Sequence, residues 1–552
     1  MITVIINKNL KLEVPEGISL LNLIKNYIKN PASLILAAKV DNEIKELTYT
    51  LNRNCNIDFI YITDEDGMRI YTRSLLFILI KAVHDLFPER EVHVGHTISK
   101  GLYCEIIGNT ELTCGEVYRI EQRMREIVDM KLEFKKHEIT LDEAKNLFIK
   151  MNRKDRFLSL DFRQKPYVTI YSCDDVIDYF YGYMAPHSGY IKNFALKYYS
   201  PGLILIYPDK ANPDKIPEFA EQKKLFNILK EYKTWNKIIN FENVSHINQK
   251  VKNGDIGDVI RISEALHEKK IANIADMIAS NINSKKLILI AGPSSSGKTT
   301  FAQRLSIQLR VNGIVPITLS LDDYFKNRDQ SPVDENGQYD FEHIDAIDID
   351  LFNEDLYKLL KGYEVEVPIF NFITGCREKT GRKLCINEKQ IIIVEGIHGL
   401  NEKLTSSIPA KNKFKIYISA LTSLNIDNHN RIPSTDTRMI RRIVRDHKFR
   451  GWNAESTIMN WPSVRRGEER YIFPFQEEAD IMFNSSLIYE LCVLKPFAEP
   501  LLAEVGKSSP AYTEAKRLIE FLGCFQSVDT HEVPLNSILR EFIGGSCFYK
   551  NT

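Results

Sequence analysis

Gly292-Pro-Ser-Ser-Ser-Gly297-Lys298-Thr299 sets two glycines, a lysine and a hydroxyl at the spacing of a phosphate-binding loop. Backbone N–H groups can surround a phosphate chain only where the loop curls tightly, which puts the demand for glycine at Gly292 and Gly297. Ser294, Ser295, Ser296 and Thr300 complete the candidate loop. Lys298 would carry a point charge toward the β- and γ-phosphates, and the Thr299 hydroxyl is a candidate ligand for Mg2+. Asp322 is the candidate base for an attacking hydroxyl and Asp323 its near competitor; either also suits a helix cap or a water-bridged Mg2+. Glu395 follows four β-branched residues, Ile391 to Val394, and is the candidate for organising Mg2+, directly or through water. Arg438, Arg441, Arg442 and Arg445 recur at helical spacing on one face, and their like charges call for an anion. A lid closing over transferring phosphates is one reading of that face; a solvated or RNA-binding surface is the other. These residue types describe a nucleotide-phosphate site.

Such a site needs strands that end where its side chains begin. Leu287 to Ile290 reads as a buried parallel strand, followed by the loop and then a helix from Thr299 to about Val311 with Phe301, Leu305 and Leu309 on one face and Gly313 as its stop. The helix aims its positive end at the anion. Val315 to Ser320 and Gln390 to Val394 read as two further strands, delivering Asp322 and Glu395 to the edge where open α/β sheets bind ligands. Tyr339 to His343 and Val367 to Phe372 set polar groups beside aromatics, as an acceptor pocket would.

The 552 residues exceed one core and imply several domains. With 73 basic and 73 acidic residues there is no general field for nucleic acid or anionic membrane. The longest apolar runs, such as Leu75–Ile80, are too short to span a bilayer, and Met1-Ile-Thr-Val opens a strand rather than a secretion signal. Nine scattered cysteines without a Cys-x-x-Cys pair read as reduced thiols, so a cytoplasmic protein is expected. Residues 232–284 read as a helical bridge packed on the domain after it, with Val259, Ile262, Leu266, Ile274 and Ile278 at near-helical spacing. The basic, aromatic stretch Trp461–Pro474 reads as a single-strand nucleic-acid contact, or as a loop near the acceptor pocket or a homo-oligomer interface. Residues 501–552 yield helical pieces and no named chemistry.

Residues 1–63, with strands around Thr3–Ile6, Leu10–Val14, Leu34–Val40 and Glu46–Leu51 and a helix capped by Ser19, resemble the TGS module, a β-grasp fold. The resemblance implies an RNA or regulatory partner; a docking or spacer role is the alternative. Residues 64–231 resemble the second, α+β editing-type domain of threonyl-tRNA synthetase, through Ala82–Pro88, Val94–Tyr103 and Pro186–Gly189. That family's editing site uses two histidines, a cysteine and a further histidine; the matching positions here are Arg73, Phe77, Tyr183 and His187. With one imidazole left, no deacylase activity is expected. His84, His93, His96 and His187 are either structural or rebuilt into another ligand site.

Over 285–500 the chain resembles the uridine kinase/phosphoribulokinase family, a P-loop kinase fold with a parallel sheet. The resemblance rests on Gly292–Thr300, Ser320–Phe325, Phe341–Asp348, Val394–Ile397, Arg441–Asp446 and Glu478–Ile481, all in family order. It implies ATP- and Mg2+-dependent phosphorylation of a ribonucleoside 5′-hydroxyl with Asp322 as base. Glu342 would hold ribose hydroxyls, Tyr324, Phe325, Phe370, Arg377 and Arg442 would line the acceptor side, and Arg441, Arg442 and Arg445 would assist the phosphates. The departures concern the base: pyrimidine-specific members use a Tyr and a His where this chain has Phe370 and Gly375, and a later family arginine is matched by Trp452. Losing two hydrogen-bonding groups relaxes or changes base selection. Rival readings are a kinase of another small alcohol and an RNA- or ribosome-associated NTPase with the TGS-like half as binding arm.

Overall fold

The computed structural model describes residues 1–548 apart from 164, 334–336, 338, 372, 373, 388 and 389. Phe372, one end of the expected acceptor stretch, therefore lies outside the described residues.

The strand Leu287–Ala291 is buried along its whole length, as its unbroken apolar run requires for a strand covered on both faces. It is the centre of a five-stranded, all-parallel sheet in the spatial order Val315–Ser320, Gln390–Glu395, Leu287–Ala291, Lys413–Ser419, Ile481–Asn484. Leu287 and Leu289 face one core, packed with Phe352 and Leu356. Ile288 and Ile290 face the other.

That second core does not stop at residue 285. It joins Val259, Ile271, Ile274 and Ile278 of the helix Ile256–Ala279 to Phe301 and Leu305 of the loop helix, and continues through Leu494 and Leu502 to Leu518, Ile538 and Phe542. The segments expected as a bridge over 232–284 and as an extension over 501–552 thus share the core of this sheet, because each supplies an apolar face the sheet needs. Two expected boundaries also cut elements: Lys223–Ile238 and Glu490–Ala503 are continuous helices.

The N-terminal sheet runs Leu10–Val14, Ile2–Ile6, Cys55–Tyr61, Ile35–Val40, Glu43–Glu46, with the pair Ile2–Ile6/Cys55–Tyr61 parallel. Ser19 caps the helix Leu20–Tyr27 as expected, its Oγ accepting from the Asn22 N–H at 3.2 Å. The expected Glu46–Leu51 strand is instead Glu43–Glu46, turned at Asp41 and Asn42 with φ of 48° and 62°, and the strand Cys55–Tyr61 was not anticipated. The next domain pairs the helices Glu65–Leu86 and Cys114–Met130 with two antiparallel sheets. No helix among the described residues is long and apolar enough to cross a membrane, and the nine cysteines are free.

Candidate functional site

The loop is held open by its own backbone. A Cβ on Gly292 would stand 1.9 Å from the Ile418 carbonyl oxygen of the neighbouring strand, so only glycine lets the loop leave the sheet there. Gly297 caps the helix Lys298–Val311 at φ +84°, and Ser295 takes a left-handed φ of +59°. Lys298 Nζ lies over the loop, donating to the Gly292 and Pro293 carbonyls at 3.1 and 3.3 Å. The hydroxyls of Ser295 and Ser296 are buried without a hydrogen-bond partner among the described residues. Free loop hydroxyls, a lysine at the mouth and a helix N-terminus fit the phosphates of a nucleotide.

The acids converge from two strand ends. Glu395 Oε1 accepts from Ser320 Oγ at 2.9 Å and from Thr299 Oγ1 at 3.4 Å. Burial pushes its carboxyl up to about 7, Asp322 adds to the rise, and Lys298 opposes it. A buried acid beside a second acid and a loop hydroxyl is a donor set that suits Mg2+. The two neighbouring acids have different surroundings: the charge of Asp322 acts on Glu395 and Glu342, whereas Asp323 accepts from the Phe370 N–H at 3.4 Å and is pushed up by burial.

Glu342 enters from the segment before Ile344, and its buried Oε2 has no hydrogen-bond partner among the described residues. Burial raises its carboxyl to about 7, with Arg442 and Lys298 pulling against that rise. Gly467 makes the approach feasible, since a Cβ there would meet Glu342 Cβ at 2.2 Å. An unsatisfied carboxylate oxygen at this place is an acceptor for a ligand hydroxyl.

The arginine face differs from expectation. Ser434–Arg450 is a helix built into the core, and acids pair with its arginines. Arg438 pairs with Glu468, which also takes the Ser294 N–H at 3.2 Å. Arg441 is fully buried, bound by Glu490 at 2.6 Å, by the Ser485 carbonyl at 2.9 Å and by the Ser295 carbonyl at 3.3 Å. It braces the loop from behind, which corrects the expectation that it meets phosphate. Arg442 donates to Ser294 Oγ at 2.8 Å and, with Arg445, flanks Asp446 at 3.1 and 2.8 Å. Arg438 also donates to the Ser294 carbonyl, at 3.1 Å, so Arg442 differs from its neighbours in meeting a loop side chain rather than the loop backbone.

On the acceptor side, Tyr324 is also corrected: its ring is core and its hydroxyl donates to Asp355 at 3.2 Å. Phe325 and Phe370 are buried neighbours, ring centroids 5.5 Å apart. Arg377 is engaged by Asp348 at 2.9 Å. The glycine that replaces a base-reading histidine, Gly375, has φ +70°, and a Cβ there would meet Arg328 Nε at 2.8 Å. Trp461–Pro474 is mostly helix, Ala454–Tyr471, rather than a loop.

Residues that the sequence did not single out complete the site. Glu468 ties the loop to two arginines, and His398, pushed down to about 4 by burial, lies 6.1 Å from Tyr471. His398 follows Glu395 by three residues, the one signal available. Glu541 accepts from the Thr300 N–H at 3.2 Å and from its Oγ1 at 2.8 Å; nothing in the sequence pointed to it.

In the second domain the four histidines are not brought together. His187 caps a short helix through Nδ1, His84 lies near Asp85 and Asp175, and His93 and His96 line a small cleft between this domain, the helix Lys223–Ile238 and the segment carrying Ser423, Asn425 and Asn428. Lys81 already stands between Asp85 and Asp175 at 2.6 Å from each. Arg73 donates to the Tyr183 carbonyl at 2.6 Å, and Phe77 is core.

The phosphoribulokinase/uridine kinase family model matches residues 287–488. A uridine kinase from Staphylococcus haemolyticus is 31% identical over 197 residues, 36% of this chain and 86% of that one. Over the N-terminal part, a threonine–tRNA ligase from Symbiobacterium thermophilum is 28% identical over 185 residues; they are 33% of this chain, which spans only 28% of the ligase's length. A solved structure described as a possible uridine kinase from Bacillus stearothermophilus aligns over 39% of this chain and 100% of its own, with 19% identity and a TM-score of 0.27. The matched stretch carries the loop, Asp322, Glu395 and the arginine helix, and on it the chain belongs to the phosphoribulokinase/uridine kinase family.

Proposed function

We propose that the protein is a cytoplasmic kinase that transfers the γ-phosphoryl group of ATP to the 5′-hydroxyl of a ribonucleoside. The observation that carries the reading is the pair Glu395 and Glu342, each buried under the charges of Lys298 and Asp322, the first tied to a loop hydroxyl and the second keeping an oxygen unpaired among the described residues. Lys298 and the loop amides bind and orient the phosphates. Thr299 and Glu395 would hold Mg2+, which when bound neutralises phosphate charge. Glu342 orients the acceptor by accepting from its hydroxyls. Asp322 takes the proton of the attacking hydroxyl as the new P–O bond forms, and Arg442 stabilises negative charge at the loop rim.

Base choice is broader than, or different from, uridine, because Phe370 offers no hydroxyl and Gly375 no imidazole. Incubating the full chain with Mg·ATP and an equimolar mixture of ribonucleosides, followed by mass spectrometry, tests this reading. A nucleoside 5′-monophosphate product supports it; nucleosides left unphosphorylated, with a sugar or sugar phosphate phosphorylated when offered in their place, would replace it with the other-alcohol reading.

A further inference from the structure

The C-terminal segment meets the loop at a position none of the kinase motifs explains. The first turn of any helix leaves N–H groups without intrahelical partners, and in a phosphate-binding loop those donors serve the ligand. In the helix Lys298–Val311, the N–H of Thr300 is one of them, and Thr300 is fully buried. Its N–H and its hydroxyl are both taken by Glu541 Oε2, at 3.2 and 2.8 Å, from a residue 241 positions away in the chain. The contact is clamped around its neighbours. Ile538 Cγ2 lies 2.5 Å from where a Cβ on Gly297 would stand, Phe542 lies 5.0 Å from the Arg441 guanidinium, and Lys448 Nζ donates to the Ile543 carbonyl at 2.6 Å. Residues 537–543 therefore press a carboxylate onto the rim of the phosphate loop.

We propose that Glu541 is a built-in anion holding the Thr300 donors in the nucleotide-free chain, and that a nucleoside triphosphate binds by displacing Glu541, and with it residues 537–543, from the loop. The proposal rests on the loop being a nucleotide site, and it names the regulation of that site. Two anions cannot accept from one N–H, and a carboxylate left beside a phosphate chain repels it. The segment thus sets the nucleotide affinity, and its release signals occupancy to the helices that share its core.

The test is calorimetric titration of the full-length protein with Mg2+ and a non-hydrolysable ATP analogue, for wild type, Glu541→Gln and Glu541→Ala. Hydrogen exchange of 537–543 is followed alongside. Glu541→Gln keeps the hydrogen bonds without the charge, so it remains informative even where the alanine variant folds poorly. The expected result is affinity on the order of tenfold tighter in Glu541→Gln, with wild-type exchange in 537–543 rising when the analogue binds. Equal or weaker binding in Glu541→Gln overturns the proposal and makes Glu541 a structural or ligand-holding group. Absence of binding in wild type and variants alike overturns the nucleotide reading itself, which separates the two failures.

Discussion

Two carboxylates share the field of Lys298 in this site, and each has a different environment. Asp322 acts on both through charge, Glu395 is held by Ser320 and Thr299, and Glu342 has a buried oxygen without a partner among the described residues. Asp322→Asn is expected to lower kcat by about 10²–10⁴ with nucleotide affinity unchanged, measured by steady-state turnover and by titration. Glu342 gives a pH prediction. Its folded carboxyl, raised to about 7 by burial, binds a proton more tightly than in the unfolded chain, where 4.5 is the ordinary value. Stability from this group is therefore fully present below the unfolded value and is lost as pH rises between about 4.5 and 7. Glu342→Gln should remove that falling slope and raise the unfolding midpoint at pH 8 by about 2–4 °C, read by calorimetry across pH. Lys298, Asp322 and Glu395 stand out in the sequence as candidates because each follows an apolar strand or a glycine turn. The place of Tyr324 was not legible, because a single 3-10 turn decides whether its ring faces core or solvent, and no periodicity shows that.

The arginine helix shows why charge spacing alone misleads at the scale of an element. Four arginines on one face looked like a demand for a bound anion, yet Glu468, Glu490 and Asp446 meet it from within the fold. Two of these acids lie on other helices, so their pairing is a tertiary fact. Removing one partner of a buried pair leaves the other uncompensated. Glu468→Ala should therefore cost about 3–5 kcal/mol and weaken nucleotide binding, because the Ser294 N–H loses its partner too. Denaturant titration and ligand titration on the same samples would check both. The strand–loop–helix unit, by contrast, was legible in full, since its apolar run, glycines and helix face agree. The Gly292 requirement was legible as well, but for a different reason: its hydrogen makes room for the Ile418 carbonyl.

At the scale of the molecule, the kinase half is not separable where its motifs begin. Phe301 and Leu305 pack against Ile271, Ile274 and Ile278, which lie before residue 285. A chain starting at residue 285 should aggregate where the full chain stays soluble and melts cooperatively, as circular dichroism and light scattering would report. Buried ions tie the halves together: Arg156 and His429 meet Asp178, and Arg156 also meets Asp427. Arg517 bridges Asp436 of the arginine helix and Glu514, which also holds Arg69. The pairs Asp178–His429, Arg156–Asp427 and Arg69–Glu514 join residues hundreds of positions apart and follow no pattern, which is why the sequence divided the chain into domains but could not show how firmly they are joined. The central claim is phosphoryl transfer to a nucleoside with Asp322 as base, and ADP release from Mg·ATP across a panel of ribo- and deoxyribonucleosides, with Asp322→Asn as control, tests it most directly. Stimulation by one or a few nucleosides, abolished in Asp322→Asn, is the expected result. ATP hydrolysis that is flat across the panel and unaffected by Asp322→Asn would contradict it.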